Sequence, residues 1–372
     1  MRPPLGSLDG ARRLLLIKPS ALGDVVHALP VAATLKQRYP DLELDWLVEE
    51  EAAGIVEGHP ALTQVLVSGR RRWQRQMARL QGLPALMGEV RGLVRTLRSR
   101  RYDLVVDLQG LFKSSLYVLA AGAPVRVGLA DGREGAPLVL THRIAGPPQP
   151  VHAARRYMAL AEALGAPKPV WDFQIPVRPA DETRAAAVLA GLPHPRVVLH
   201  PGARWRTKLW QIDDWRALAA ALAGEGVGVL LTGGREDGSL SEAILAGLEP
   251  APRALVGRLS LKELAAVLAR TDVMVTVDSG PMHMAAAMGT PVVALFGATD
   301  PRRTGPWGDA VILRRDLACS PCLQRRCAIA ERYRCMRELT VPDTLAAVRQ
   351  VLGAARGRAS DVRGPGPDGA RA

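Results

Sequence analysis

The sequence predicts an α/β fold built from two doubly wound, Rossmann-like domains in tandem. Three observations carry this. Short apolar runs alternate with segments of helical periodicity, the same alternation begins again halfway along the chain, and a proline-rich stretch lies between the two series. At 372 residues the chain also exceeds the size that a single hydrophobic core ordinarily serves.

The first series opens with Arg13-Leu-Leu-Leu-Ile17, an unbroken apolar run suited to a buried parallel strand. A turn, Lys18 to Asp24, leads into Val25–Tyr39, whose apolar residues recur at helical spacing until Pro40 stops them. Leu42–Val48 and Tyr102–Leu108 read as further strands. The second series comprises strands Val197–His200, Val227–Thr232, Val273–Val277 and Pro291–Phe296. Helices Trp215–Ala223, Leu261–Arg270 and Met282–Met288 alternate with them. Pro167, Pro169, Pro176, Pro179, Pro193 and Pro195 mark the connection, placing a first domain at 1–175 and a second at 176–342. The Gly-, Pro- and Arg-rich end, 357–372, is expected to be a disordered tail.

Composition narrows the function. Hydrophobic residues at 48% and charged residues at 23% exclude a disordered or fibrous chain, and with aromatics at 4% the core must rest on Leu, Val and Ala. Lys plus Arg number 49 against 36 Asp plus Glu, a net +13 that points to an anionic partner. Part of it is concentrated: Arg70–Arg101 holds ten arginines and one acid, Glu89, whereas Asp41–Glu57 holds seven acids and no Lys or Arg. A charge run of this kind is a solvated helix face or an anion-binding surface. Nucleic acid is the less favoured partner, because the run lacks interleaved aromatics beyond Trp73 and no zinc-finger spacing is present.

The most apolar stretch, Met282–Ala298, is broken by His283, Gly289 and Pro291, so no membrane span is expected, and Leu14–Ile17 is too short for a secretory signal. The cytoplasm is the expected compartment. Cys319, Cys322, Cys327 and Cys335 follow C-x2-C-x4-C-x7-C, a spacing open to structural zinc, free thiols or a redox pair, and no metal is assigned.

Three strand-to-helix loops carry chemistry. In Val277-Asp-Ser-Gly-Pro-Met-His283 a small polar turn opens a helix, presenting backbone N–H groups at its positive end to a phosphate. Asp278 and His283 flank that position, though Asp278 or Ser279 would equally serve as a plain helix cap. The loop from His200 to Trp210 is rich in cations, and Arg204 and Lys208 are placed to neutralise a diphosphate or to be solvated loop charges. Gly23-Asp24 does not form a dinucleotide-binding glycine pattern; Asp24 is a general base or a cap for the helix that follows.

Together these segments resemble glycosyltransferase family 9, the heptosyltransferases. The resemblance runs from about Arg13 to Leu352 and is most specific over Val277–Pro301 with Gly305-Pro-Trp-Gly308. Lys18–His27 is similar to the family's opening strand, turn and helix, and Lys208-Leu-Trp210 with Trp215 to its second-domain loop. Asp45–Glu50, Arg71–Trp73, Asp107–Lys113 and His152 with Arg155 and Arg156 resemble the branch that adds the first heptose.

The resemblance implies a GT-B fold, two Rossmann-like domains facing a cleft, with a last helix at about 343–355 packing back on the first domain. It implies an inverting transfer of heptose from ADP-heptose to a Kdo sugar of Kdo2-lipid A, without cofactor or metal, on the cytoplasmic face of the inner membrane. Carried over by position, Asp24 is the base and Lys208 holds the donor diphosphate, while Asp278, Ser279, Gly280 and His283 bind the donor at the helix N-terminus. Glu236 takes the nucleotide ribose, and Arg204 stands where relatives often have threonine. Arg71, Lys113 and Arg133, with the arginine run, would meet the acidic acceptor and the anionic leaflet.

Overall fold

The computed structural model describes residues 6–8, 10–79 and 82–361. The chain divides into two compact units, 1–178 and 179–372.

The first unit alternates strand and helix. Its strands are β1 (Arg13–Ile17), β2 (Glu43–Glu49), β3 (Gln64–Ser68), β4 (Leu104–Asp107), β5 (Val125–Leu129) and β6 (His142–Ile144). Its helices are α1 (Leu22–Arg38), α2 (Ala53–Val56), α3 (Arg70–Ala78), α4 (Leu83–Ser99), α5 (Phe112–Ala121) and α6 (Ala153–Ala163). All six strands are parallel, in the order β3-β2-β1-β4-β5-β6. Leu14 to Ile17 are fully buried, as an apolar run in the middle of a sheet covered on both faces must be. One core cluster joins Leu15, Ile17, Leu47 and Val105 of the sheet to Leu97 of α4 and Tyr117 and Val118 of α5.

The second unit repeats the plan. Its strands are β7 (Arg196–His200), β8 (Gly228–Leu231), β9 (Arg253–Ala254), β10 (Val273–Val277), β11 (Val292–Phe296) and β12 (Ala310–Arg314). Its helices are α7 (Pro179–Leu189), α8 (Ile212–Gly224), α9 (Gly238–Leu245), α10 (Leu261–Leu268), α11 (Gly280–Ala287), α12 (Pro301–Thr304), α13 (Arg334–Arg337) and α14 (Val341–Asp361). The parallel order is β12-β11-β10-β7-β8-β9.

Both sheets therefore carry the doubly wound order in which chain direction reverses beside the first strand, between β1 and β4 and between β7 and β10. Ligands of such sheets bind at the strand C-terminal ends on either side of that reversal. Ile17 is in register with Leu47 and Asp107, and Thr276 with His200. The loops starting at Lys18 and Leu108, and those starting at Pro201 and Asp278, thus leave their sheets at neighbouring points.

Three segments are defined further. The proline-rich connection contains a helix, α7: Pro179 occupies its first position, Asp181 and Glu182 lie in its first turn, and an alanine run follows. The last helix packs on the second unit. Ala347, Val348 and Val351 form an apolar stripe that joins the core of the second unit, where α14 lies against α8 and the β10–β12 edge. The segment expected as a tail begins inside this helix, whose backbone continues to Asp361, and positions from 362 onward lie outside the described residues.

Candidate active site

In the first unit the turn after β1 is built around a buried cation. Lys18 is 1% exposed, and its ammonium donates to the Leu108 carbonyl at 3.3 Å and to the Tyr157 hydroxyl oxygen at 2.8 Å. Burial pulls its pKa below the usual lysine value against the opposing charges of Asp24 and Asp107. Asp24 is the third residue of α1 and half-buried. Its Oδ2 accepts from the Ala21 N–H at 3.2 Å and its Oδ1 from the Tyr157 hydroxyl at 3.1 Å. A capping interaction is therefore present, and it occupies one carboxylate oxygen only.

The neighbouring loop after β4 is pinned by Asp107, which accepts from the N–H groups of Gln109 and Gly110 and from the Ser114 hydroxyl at 2.9–3.1 Å. Burial pushes its pKa up, and these donors oppose the shift. Gly110 adopts φ +63, a left-handed conformation that favours glycine. The loop delivers Lys113, which bonds to the Ser20 hydroxyl and lies 3.6 Å from Glu49. Glu49, buried at the end of β2, also pairs with Arg70 at 2.7 Å and with Arg71 at 3.4 Å.

The acidic stretch and the start of the arginine run thus meet. Arg71 also pairs with Glu51, Arg72 with Glu50 and Glu89, and Arg100 with Glu43 and Asp45. Among the described residues Arg75, Arg79, Arg91 and Arg95 form no ion pair. Arg72, Arg75, Gln76 and Arg79 line a cavity of about 230 Å³ on α3. Arg133 is exposed after β5, its backbone N–H bonded to the Gly110 carbonyl at 2.9 Å. Structure thus brings Asp24, Lys113, Arg71 and Arg133 to the same end of one sheet.

In the second unit the loop after β7 makes a short 3₁₀ turn, Arg206–Lys208. Lys208 donates to Asp278 Oδ2 at 2.7 Å, and the Thr299 hydroxyl donates to the same oxygen at 2.6 Å. Two cations lie over the Trp205 ring, Lys208 Nζ at 4.8 Å and the Arg325 guanidinium at 5.4 Å from its centre. Ser279 stands at the N-cap position of α11 yet makes no side-chain cap bond; its hydroxyl pairs with Thr276 at 3.2 Å. With Asp278 engaged by Lys208 and Thr299, neither candidate cap covers the first-turn N–H groups, which face the end of the sheet with Gly280 leading. His283 is buried in that helix, and Arg204 is exposed on its loop.

Glu236 is exposed in a 3₁₀ turn after β8. Its carboxylate lies over Gly234, where any Cβ would come within 2.5 Å of it. Beside it Gly233, Gly234, Arg235, Gly257, Arg258, Leu259 and Ser260 line a cavity of about 340 Å³. Cys319, Cys322, Cys327 and Cys335 carry free thiols, and burial with the three neighbouring thiols pushes the Cys335 pKa up.

Sequence reasoning did not find Tyr157, Thr299 or the hub role of Glu49. Each acts across 21 or more positions of chain, and only the fold supplies that proximity.

The model of glycosyltransferase family 9 (heptosyltransferase) matches residues 90–332. Lipopolysaccharide heptosyltransferase 1 of Pseudomonas aeruginosa is 37% identical over 85% of this chain and 87% of that protein. Lipopolysaccharide heptosyltransferase 2 of Salmonella typhimurium is 30% identical over 79% and 85% respectively. An Escherichia coli heptosyltransferase solved with ADP superposes with a TM-score of 0.73 at 26% identity, covering 91% of this chain and 99% of that one. The chain belongs to glycosyltransferase family 9, the heptosyltransferases. It is a glycosyltransferase, and its paired parallel α/β units are the GT-B fold.

Proposed function

We propose that this enzyme transfers L-glycero-D-manno-heptose from ADP-heptose to Kdo of Kdo2-lipid A, the first heptose addition of the lipopolysaccharide inner core. The observation that carries the reading is the 37% identity to the lipopolysaccharide heptosyltransferase 1 of Pseudomonas aeruginosa, which extends over 85% of this chain.

In this reading Asp24 accepts the proton of the acceptor hydroxyl as that oxygen attacks the anomeric carbon. The bond from that carbon to the diphosphate oxygen breaks, ADP leaves, and configuration inverts. Lys208 and the uncapped N-terminus of α11 take up the charge that develops on the diphosphate. Asp278, Ser279, Gly280 and His283 surround the donor's sugar and phosphates, with Arg204 at the margin. Glu236 holds the ribose beside the glycine-lined cavity. Arg71, Lys113, Arg133 and the arginines of α3 and α4 receive the acidic acceptor.

The same reading places the enzyme against the cytoplasmic leaflet. No helix among the described residues is long and apolar enough to cross a membrane. Exposed Leu83, Met87 and Val90 on α4, and Phe112, Leu116 and Leu119 on α5, accompany the arginines and fit an anionic surface.

The deciding experiment mixes purified enzyme with ADP-heptose and Kdo2-lipid A and follows acceptor mass and ADP release. Gain of one heptose is expected. No gain on that acceptor, with transfer to an already heptosylated core, would reassign the enzyme to a later step.

A further inference from the structure

Two groups in the first unit that the assigned roles do not use, Lys18 just after β1 and Tyr157 on α6, form a line that ends on Asp24 of α1. The distances are 2.8 Å from Lys18 Nζ to the Tyr157 oxygen and 3.1 Å from that oxygen to Asp24 Oδ1. We propose that Tyr157, held by Lys18, is a positioning residue that fixes the Asp24 carboxylate for proton abstraction. This rests on the reading of Asp24 as the base.

The direction of the line follows from what each group is able to do. An ammonium has donors and no acceptor, so the Tyr157 oxygen must accept from Lys18. A phenol has one proton, which is thereby committed to Asp24. A neutral amine at Lys18 would remove that constraint and leave the Tyr157 proton free to turn away. The positive charge of Lys18 therefore does two things: it orders the hydroxyl, and by polarising the O–H it makes Tyr157 a stronger donor to a carboxylate. Both groups are shielded from water, Lys18 at 1% and Tyr157 at 7% exposure, and burial raises the phenol well above its usual range, so it remains a donor at neutral pH.

The effect on Asp24 is geometric. With Oδ2 on the Ala21 N–H and Oδ1 on Tyr157, the carboxylate plane is fixed from two sides, and the remaining lone pairs define where an acceptor hydroxyl must approach. The other charged groups around this line are Asp107 on β4, Lys113 on α5 and Arg156 on α6. His27 of α1 and His152, which caps α6, stack edge-on at 4.7 Å.

A buried Lys–Tyr–Asp line would also arise as a plain structural staple, and the pH profile separates the two. Losing a hydrogen bond to a charged group is worth about 1.5 kcal/mol, or about one pKa unit. In Tyr157→Phe the acid limb of kcat/KM is expected to move to higher pH by about one unit, and kcat to fall about tenfold. ADP affinity is expected to remain unchanged. Lys18→Met, which keeps the volume and removes the charge, should move the limb in the same direction.

If Tyr157→Phe does not fold, 3-fluorotyrosine incorporated into the unmutated chain gives the converse readout. Its more acidic phenol donates more strongly and should move the limb to lower pH. Asp24→Asn is measured alongside. If it is inactive while the limb stays in place in the tyrosine-altered enzyme, the positioning role is overturned and the base survives. If Asp24→Asn turns over normally, the reading of Asp24 as the base falls, and this inference falls with it.

Discussion

Lys208 and Asp278 lie 70 residues apart in sequence, and Lys208 Nζ bonds Asp278 Oδ2 at 2.7 Å across the point where the second sheet reverses direction. In the proposed mechanism this bond holds the lysine in place for the departing diphosphate. Preorganised charge of this kind costs no rearrangement at the moment of reaction. Lys208→Ala is expected to lower the transfer rate by about 10²–10³-fold. With side-chain exposures of only 17% for Lys208 and 6% for Asp278, removing the cation strands a buried carboxylate, and folding stability is expected to fall by about 3 kcal/mol. Steady-state ADP release and urea unfolding measure the two effects separately. Loss of stability with the transfer rate retained would recast the pair as structural.

Thr299 is the third member of that group and the one nearest to being overlooked. Its hydroxyl donates to the oxygen of Asp278 that Lys208 also uses, so it shares the task of holding the carboxylate plane. Thr299→Val keeps the shape and removes the donor. ADP is expected to bind about tenfold more weakly, as one hydrogen bond to a charged group is worth about 1.5 kcal/mol. Titration calorimetry with ADP reads this directly, and unchanged affinity would detach Thr299 from the site.

Asp45 shows how the acidic stretch is used. It is fully buried in β2, where Arg100 reaches it at 2.8 Å and the Tyr102 hydroxyl donates to it at 2.7 Å. Burial and the adjacent carboxylate push the Tyr102 phenol far above its usual range, so it remains a donor. Asp45→Asn leaves Arg100 facing a neutral group in a largely dry site and is expected to cost about 3 kcal/mol of stability. The midpoint of urea unfolding should fall while the assigned site residues keep their geometry. A shift within experimental error would show that Arg100 finds Glu43 sufficient as a partner.

Much of this architecture was legible. The runs Leu14–Ile17 and Val273–Val277 emerge as strands because an uninterrupted apolar segment is what a sheet covered on both faces requires. The strands β3, β5 and β6 were not anticipated. Their burial is partial or alternating, and β6 has only three residues, so no apolar run marks them. The arginine run reads as exposed from its charge alone, but the pairing of Arg70 and Arg71 with Glu49 depends on β2 lying beside the start of α3. Position along the chain also concealed Tyr157: nothing in α6 distinguishes it from a core tyrosine until α6 packs on α1. Loops that carry short motifs, such as Asp278-Ser-Gly, were found because their chemistry is local. Contacts that join distant elements required the fold.

His200 makes acid stability the sharpest remaining test. It ends β7, is fully buried, and its Nδ1 pairs with the Thr232 hydroxyl at 3.1 Å. Burial disfavours the imidazolium and lowers its pKa from 6.5 to about 4. The unfolded chain therefore takes up a proton as pH falls below about 6.5, while the folded chain resists until about 4. Stability is lost across that window and levels off below it. Between pH 7 and pH 5 this single group is expected to remove about 2 kcal/mol. His200→Asn offers a hydrogen-bonding partner for Thr232 and does not titrate, so its unfolding free energy should fall by that much less over the same interval. Other ionising groups are common to both proteins and cancel in the difference. Parallel pH dependence in the two proteins would mean that His200 becomes charged within the fold, and that the end of β7 is wetter than its burial indicates.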